Sequence, residues 1–344
     1  MIDERTQQQI TALRKDYELL RPGREALLSL LAETETPEQV YNSNAIENST
    51  LSLKDTERIL LEQEAMRNVS VRELFEAKNL ARVIGYLDER PNLPLSVENI
   101  TLLHQMLLGG INDEFAGRLR GAGEYVRVGR HIAPPPEFVR DLLEELIATY
   151  NSSHDQYFIN AIAHFHLQFE SIHPFCDGNG RMGRVLINLQ LAALGYPPVI
   201  IRSKGKRRDY YPLFQEYADS HATDGMALLL SRTLRESLHR RLAYLRAQRV
   251  VRLTEYAREA GLSPSSQLNA ARRQTIPAFR ERGVWMIGVE AAETTKGNGL
   301  LIKKKEDTFS LKTLFRDYQG DYKPEMLDWG KPVGREVRLW VGGA

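Results

Sequence analysis

The sequence predicts a mainly α-helical fold with one short β-hairpin and a small C-terminal helix-turn-helix unit. Three observations carry that expectation. Apolar residues recur at three- and four-residue spacings among abundant Glu, Arg and Ala, as over residues 54–88. A glycine-punctuated, β-like alternation is confined to Gly117–Gly129. Near the end of the chain a helix, a glycine turn, a second helix and a short hairpin follow one another. With 344 residues, 42% hydrophobic and 26% charged, the chain is long enough for two or three domains with at least one sizeable core.

Taken in order, residues 4–33 read as helical with a break at Arg21-Pro22-Gly23, and 54–88 as a further helical stretch. After Pro91-Asn92-Leu93-Pro94 a helix covers 97–108, and the alternation in Gly117–Gly129 reads as a hairpin or flap. Pro134-Pro135-Pro136 stops the chain and starts a helix through Tyr150; a long apolar helix over 156–171 and another over 181–194 follow. The basic run Ser203–Arg208 reads as a solvated loop. Seven arginines among apolar residues over Arg232–Arg252 read as a long amphipathic connector helix. Leu253–Gly261 and Ser263–Gln274 are the paired helices, with a hairpin over Ile276–Ile287, so the unit is winged-helix-like. Arg272 and Arg273 lie on its second helix, where DNA or a protein partner would meet them. The expected domains are therefore 1–94, 95–235, 236–290 and a tail, 291–344, that holds Lys303-Lys304-Lys305, Trp329 and Trp340 and has no assigned structure.

The chemistry concentrates between His173 and Arg184, in HPFCDGNGRMGR. Pro174 turns His173 away from helical geometry, and a histidine, with an ordinary pKa near 6.5, can accept a hydroxyl proton at neutral pH. Asp177 is an oxygen ligand of the kind that holds Mg²⁺ together with substrate phosphates. Gly178 and Gly180 let backbone N–H groups face an anion at the start of the next helix, and the Asn179 amide can donate to a phosphate oxygen. Arg181 and Arg184 offer guanidinium forks that match phosphate geometry.

With every fixed position present, this segment resembles the HxFx(D/E)GNGRxxR motif of Fic-domain proteins. The resemblance extends over residues 95–235, through the flap, the proline turn and the helix before the motif. It implies a Fic-type helical bundle with a β-hairpin flap. It also implies transfer of AMP from ATP to a hydroxyl side chain of a protein, with release of pyrophosphate. In that scheme His173 is the general base, Phe175 anchors the loop and Asp177 holds Mg²⁺. Gly178, Asn179 and Gly180 form the anion hole, Arg181 contacts the phosphates and Arg184 the γ-phosphate. Tyr210 or Tyr211 lines the adenine pocket, Tyr211 being the candidate, and Arg120, Tyr125 and Val126 belong to the target-docking flap. Upstream, Ser43-Asn44-Ala45-Ile46-Glu47-Asn48 resembles the (S/T)xxxE(G/N) inhibitory helix of some members, with Glu47 pairing with Arg184 and Ser43 fixing the helix. In some relatives that glutamate also serves AMP removal, so a deAMPylase stands as the alternative. A DNA-binding regulator whose core senses nucleotide is a second alternative, and UTP or phosphocholine donors stay open.

Composition narrows the setting. Forty-six basic against 45 acidic residues give a net charge of +1, so nothing in the whole-molecule charge favours nucleic acid or membrane. One cysteine excludes an internal disulfide, and the N-terminus lacks the apolar core of a signal peptide, which together favour the cytoplasm. Expected partners are a protein bearing a Ser, Thr or Tyr hydroxyl, the chain itself as a substrate, DNA at the C-terminal unit and a second copy in a homodimer; no membrane partner is expected.

Overall fold

The computed structural model describes residues 1–62, 69–153, 155–247 and 249–289; the expected tail, with its lysine run and two tryptophans, lies outside them. The first helices are α1 (Glu4–Leu20) and α2 (Glu25–Ile46), parted at the expected Arg21-Pro22-Gly23 break. Asp3 caps α1 by accepting from Thr6 N. The helix expected over 54–88 is instead divided. A short α3 (Leu53–Glu57), opened by a Ser52–Asp55 capping box, passes into a π-helical turn at Arg58–Glu62. Then α4 (Val71–Asp88) starts at a new cap, Ser70. The physical reason is local: each Ser takes over the free N–H groups of a helix start, so two starts exist where periodicity alone suggests one.

Next, α5 (Val97–Leu108) leads to a long turn-rich segment and a two-stranded antiparallel hairpin, β1 (Arg127–Val128) and β2 (His131–Ile132). The hairpin sits later than the glycine-rich stretch suggested, because Gly117 and Gly123 spend their positive φ in turns and Gly129 makes the hairpin turn itself. A 3₁₀ turn at Pro136–Phe138 starts α6 (Val139–Ser152), and α7 (Phe158–Ile172) and α8 (Asn179–Ala193) follow. The short α9 (Lys206–Asp209) and α10 (Tyr211–Ser220) lead into α11 (Asp224–Arg246).

Two apolar clusters hold this body together, and α2, α7 and α8 contribute to both. Val40, Phe165, Phe169, Phe175 and Leu186 lie in one, Ile46, Ile162, Leu167 and Ile187 in the other. Each such fully buried side chain contributes about 1.5–3 kcal/mol. The motif segment between α7 and α8 is therefore fixed from both ends by helices that cannot move without opening a core.

The helix expected as a connector is a correction. Arg235, Arg240 and Arg241 of α11 are buried, so this is an interior helix: Arg235 donates to Ser231 O, Gln9 and Gln274 O, and the other two are matched by acids. Arg240 meets Glu35, Glu38 and Glu281 at 3.2–3.5 Å, and Arg241 Nη1 donates to Glu35 at 3.2 Å. Arginine spacing on a helix does not say whether a carboxylate waits opposite, and here α2 supplies two. After α11 come β3 (Arg249–Arg252), α12 (Leu253–Glu259), α13 (Pro264–Arg273), β4 (Ala278–Glu281) and β5 (Val284–Val289). The three strands form one antiparallel sheet in the order β3-β5-β4. The helix, glycine turn, helix and hairpin thus occur in the expected order, with Leu253, Ala271, Ala278 and Ile287 as their core.

Candidate active site

His173 ends α7 with φ 51° and ψ 62°, a left-handed conformation uncommon for a residue with a Cβ. Pro174 disfavours the right-handed alternative, and Arg120 holds the result in place. Arg120 Nε donates to His173 O at 2.7 Å, Nη2 to Ile172 O at 3.1 Å and Pro134 O at 2.9 Å, and Nη1 to Glu124 O at 3.0 Å. This corrects its assignment to target docking: a guanidinium that is buried and donates to four carbonyls clamps the base of the flap onto the His173 turn. Tyr125, 67% exposed, and the half-buried Val126 do lie on the approach to the hairpin. His131 of β2 latches that hairpin to α7 by donating from Nε2 to Ser171 O at 2.7 Å.

The His173 ring has Nδ1 3.2 Å from Glu170 O. A carbonyl only accepts, so Nδ1 carries the proton in that contact and Nε2 keeps its lone pair. Burial, with Arg120 and His131 nearby, lowers the pKa below the ordinary 6.5, partly offset by the bond to Glu170 O, so the ring is neutral and basic at neutral pH. Beneath it Glu170 is pushed up to about 8, chiefly by burial.

Asn179 does not offer its amide to a ligand. Its Oδ1 accepts from Phe175 N at 2.9 Å and its Nδ2 donates to Phe175 O at 2.8 Å, which staples the loop and corrects the expected role. Gly178 N–H is likewise taken, by Asp177 Oδ1 at 2.6 Å. The anion site that remains is the open N-terminus of α8, where the backbone N–H groups of Asn179 and Gly180 have no acceptor among the described residues. Gly178 has φ 78° and Gly180 carries no Cβ where one would overlap Glu47 Oε1, so each glycine answers a distinct geometric demand.

Arg181 is only 3% exposed and lies between Glu76, at 3.2 Å, and Asp177, at 3.4 Å, while its Nε has no hydrogen-bond partner. Arg184, also buried, is held by α2. Its Nε donates to Ser43 Oγ at 2.9 Å, and its Nη2 to Ser43 O at 2.9 Å and Glu47 Oε1 at 2.8 Å. Tyr211 donates to Ile46 O at 2.6 Å and faces the cavity; Tyr210 borders it too, but is buried with its hydroxyl on His166 Nε2. The cavity, of about 800 Å³, is lined by Glu47, Arg72, His131, His173, the turn from Asp177 to Arg181, Arg184 and Tyr211. That is ample for a nucleotide-sized ligand. His173, Asp177, Gly178, Asn179, Gly180, Arg181 and Arg184 of the motif meet here, while Phe175 is buried in the core; Tyr125 and Val126 do not line the cavity.

Sequence reasoning missed three contributors. His104 of α5 stacks on Phe175 at 3.6 Å, accepts from Gly117 N through Nδ1 and donates from Nε2 to Asp177 O at 3.0 Å, tying flap to loop. Lys206, placed in the solvated run, donates to Ala45 O, Ile46 O and Asn48 Oδ1 at 2.7–2.8 Å and so caps α2. Arg72 of α4 donates to Asp177 Oδ2 at 2.7 Å. Nothing in local spacing marks any of them.

A cation fits this donor set in one particular way. Among the described residues no three His, Cys, Asp or Glu gather into a cage, but Asp177 stands alone beside the anion site with a cationic group already on its outer oxygen. One carboxylate plus ligand phosphates is the usual way in which Mg²⁺ is held.

The family model described as Fic/DOC matches residues 94–191. "Protein adenylyltransferase Fic" of Drosophila persimilis is 31% identical over 214 residues, which are 61% of this chain and 41% of the relative. The protein of the same name in Drosophila yakuba is 29% identical over 294 residues, 82% of this chain and 58% of the relative. This chain therefore spans roughly two to three fifths of the curated relatives that it matches. A Fic domain containing signaling protein from Bacteroides thetaiotaomicron has the same fold, with a TM-score of 0.63 at 22% identity over 74% of this chain and 98% of that one.

Proposed function

Because the chain carries a Fic domain of the Fic/DOC family over residues 94–191, we propose that it is a protein adenylyltransferase restrained by its own α2. The observation that carries this reading is the single cavity wall on which His173, the α8 N-terminus, Arg181 and Arg184 converge. In the reaction the hydroxyl oxygen of a protein Ser, Thr or Tyr attacks the α-phosphorus of ATP. His173 Nε2 takes the hydroxyl proton, the bond between the α-phosphorus and the bridging oxygen breaks, and pyrophosphate leaves. The free N–H groups at the start of α8, with Arg181, receive the charge that develops on the phosphate oxygens. Tyr211 closes one side of the base pocket, and the hairpin offers a strand edge to the target. Mg²⁺, held by Asp177 and the phosphates, would neutralise phosphate charge.

Glu47 and Ser43 occupy Arg184, the guanidinium assigned to the γ-phosphate, so ATP would meet a site whose terminal contact is already taken. Removing the carboxylate releases it. Glu47→Gly should raise transfer by about 5- to 150-fold, the usual span of a coupling of 1–3 kcal/mol. His173→Ala in that background should lower it by about 10²–10⁴ while nucleotide still binds. Intact-mass spectrometry after incubation with ATP, Mg²⁺ and a bacterial lysate reads both. An AMP adduct that appears with Glu47→Gly and vanishes in the double variant supports the reading, and equal adduct in both would sink it. A second reading, removal of AMP, is favoured by the 43% exposure of the Glu47 side chain at the cavity. It predicts that wild-type protein, and not Glu47→Gly, strips AMP from a modified polypeptide. Exposed Arg272 and Arg273 on α13 suit DNA or an acidic protein surface, and salt-resistant DNA retention would distinguish the two.

A further inference from the structure

The carboxylate of Asp177 is already neutralised within the protein, by two arginines of very different freedom. Arg72 Nη2 donates to Oδ2 at 2.7 Å and Arg72 Nε to Glu76 Oε1 at 3.1 Å. Arg181 completes the circuit, 3.2 Å from Glu76 and 3.4 Å from Asp177. The four groups close a ring of alternating charge between α4 and the start of α8. Arg181 is locked inside, but the Arg72 side chain is 56% exposed and reaches the ring from the cavity side. A divalent ion bound about 2.0–2.1 Å from Asp177 Oδ2 would stand about 4 Å from the Arg72 guanidinium nitrogen, and the repulsion between the two cations disfavours their sharing that oxygen.

We infer that Arg72 is a placeholder cation: it holds the metal position of Asp177 closed until metal and nucleotide arrive together, and is displaced when they do. The inference rests on the reading of Asp177 as the cation ligand. Its physical content is a competition. Without metal, Arg72 cancels the carboxylate charge that would repel incoming phosphates, so metal-free nucleotide is tolerated. With metal, breaking the Arg72 contact opposes binding. An exposed pair of this kind is weak, so displacement is easy, and its loss changes the balance by only about 1.4- to 5-fold. Both effects act in one direction: Arg72 makes nucleotide binding less dependent on metal than the bare aspartate would.

The test is isothermal titration of the full chain with α,β-methylene-ATP, which cannot transfer AMP, in excess EDTA and again in saturating Mg²⁺. The ratio of the two dissociation constants reads the metal's contribution without any turnover. Arg72→Ala should enlarge that ratio by about 1.4- to 5-fold, and Arg72→Lys, which keeps a charge in the same place, should fall between. Asp177→Asn should bring the ratio towards one. If Asp177→Asn collapses the ratio while Arg72→Ala leaves it at the wild-type value, the placeholder role is refuted and the reading of Asp177 survives. If Asp177→Asn leaves the ratio unchanged, both fall. Since Arg72 is exposed, its replacement leaves the packing of α4 intact, and Arg72→Lys repeats the test with a side chain of similar length.

Discussion

Single residues in this site are defined by what their backbone and first contacts allow. His173 can act as a base because a left-handed φ turns it out of α7 and because Glu170 O occupies Nδ1. Burial then keeps the ring neutral, so its pKa lies below 6.5. The sign follows directly: the neutral form is the active one, so activity is complete at higher pH and is lost as pH falls through that lowered value. In the Glu47→Gly variant the acid limb of kcat/KM against pH should therefore have its midpoint below 6.5; a midpoint above that would remove His173 from the role of base. Asn179 illustrates the opposite outcome. Its residue type suits a phosphate, but two bonds to Phe175 take up its amide.

At the scale of elements, α2 carries the Ser43 and Glu47 contacts to Arg184 on which the proposed restraint rests. Its second half is buried on nearly every side, with Val40 in one core and Ile46 in the other, so its last turn cannot drift away from Arg184 by itself. The end of the helix is capped by Lys206 and Tyr211. A cation on helix C-terminal carbonyls contributes about 0.3–1 kcal/mol. Lys206→Met should therefore speed hydrogen exchange at the amides of residues 46–49 and raise transfer by about two- to fivefold. In the Glu47→Gly background the same change should leave transfer where it was, since the restraint is already gone. A further rise there would show that Lys206 acts on the nucleotide and not through α2.

Across the whole molecule, α2 is tied to α11 and to the sheet of the C-terminal unit by buried ions. Glu38 pairs with Arg202 and Arg240 and accepts from Gly283 N at 3.3 Å, between β4 and β5. Glu236 in turn receives Arg202 and Arg280. Such a network adds little net stability, but breaking it leaves buried charges unpaired, at a cost of about 3–5 kcal/mol. Glu38→Gln should therefore lower the melting temperature and, by loosening the helix that carries Glu47, raise transfer. Glu281→Gln, on the β4 side of Arg240, should shift both in the same direction, and the double variant should fall short of the sum. Independent, additive effects would mean that the two ends are not coupled.

Much of the fold and the centre of the site could be read from the chain alone, since helix periodicity, the prolines and glycines and the His173–Arg184 segment all act over a few residues. A turn and the helix that follows it bring those side chains together by local geometry, which spacing reports. Ser43 and Glu47 were legible for the same reason, as a short pattern. What only the tertiary structure decided are partnerships across distance that no short pattern reports: Arg72 with Asp177 at a separation of 105 residues, and Lys206 with Ala45 O at 161. So too the clamp of Arg120, the stack of His104 on Phe175 and the matching of α11 arginines by α2 acids. Residue type sets what a side chain can bond, but packing chooses which neighbour reaches it first, and an amide or guanidinium that is already bonded is no longer free for a ligand.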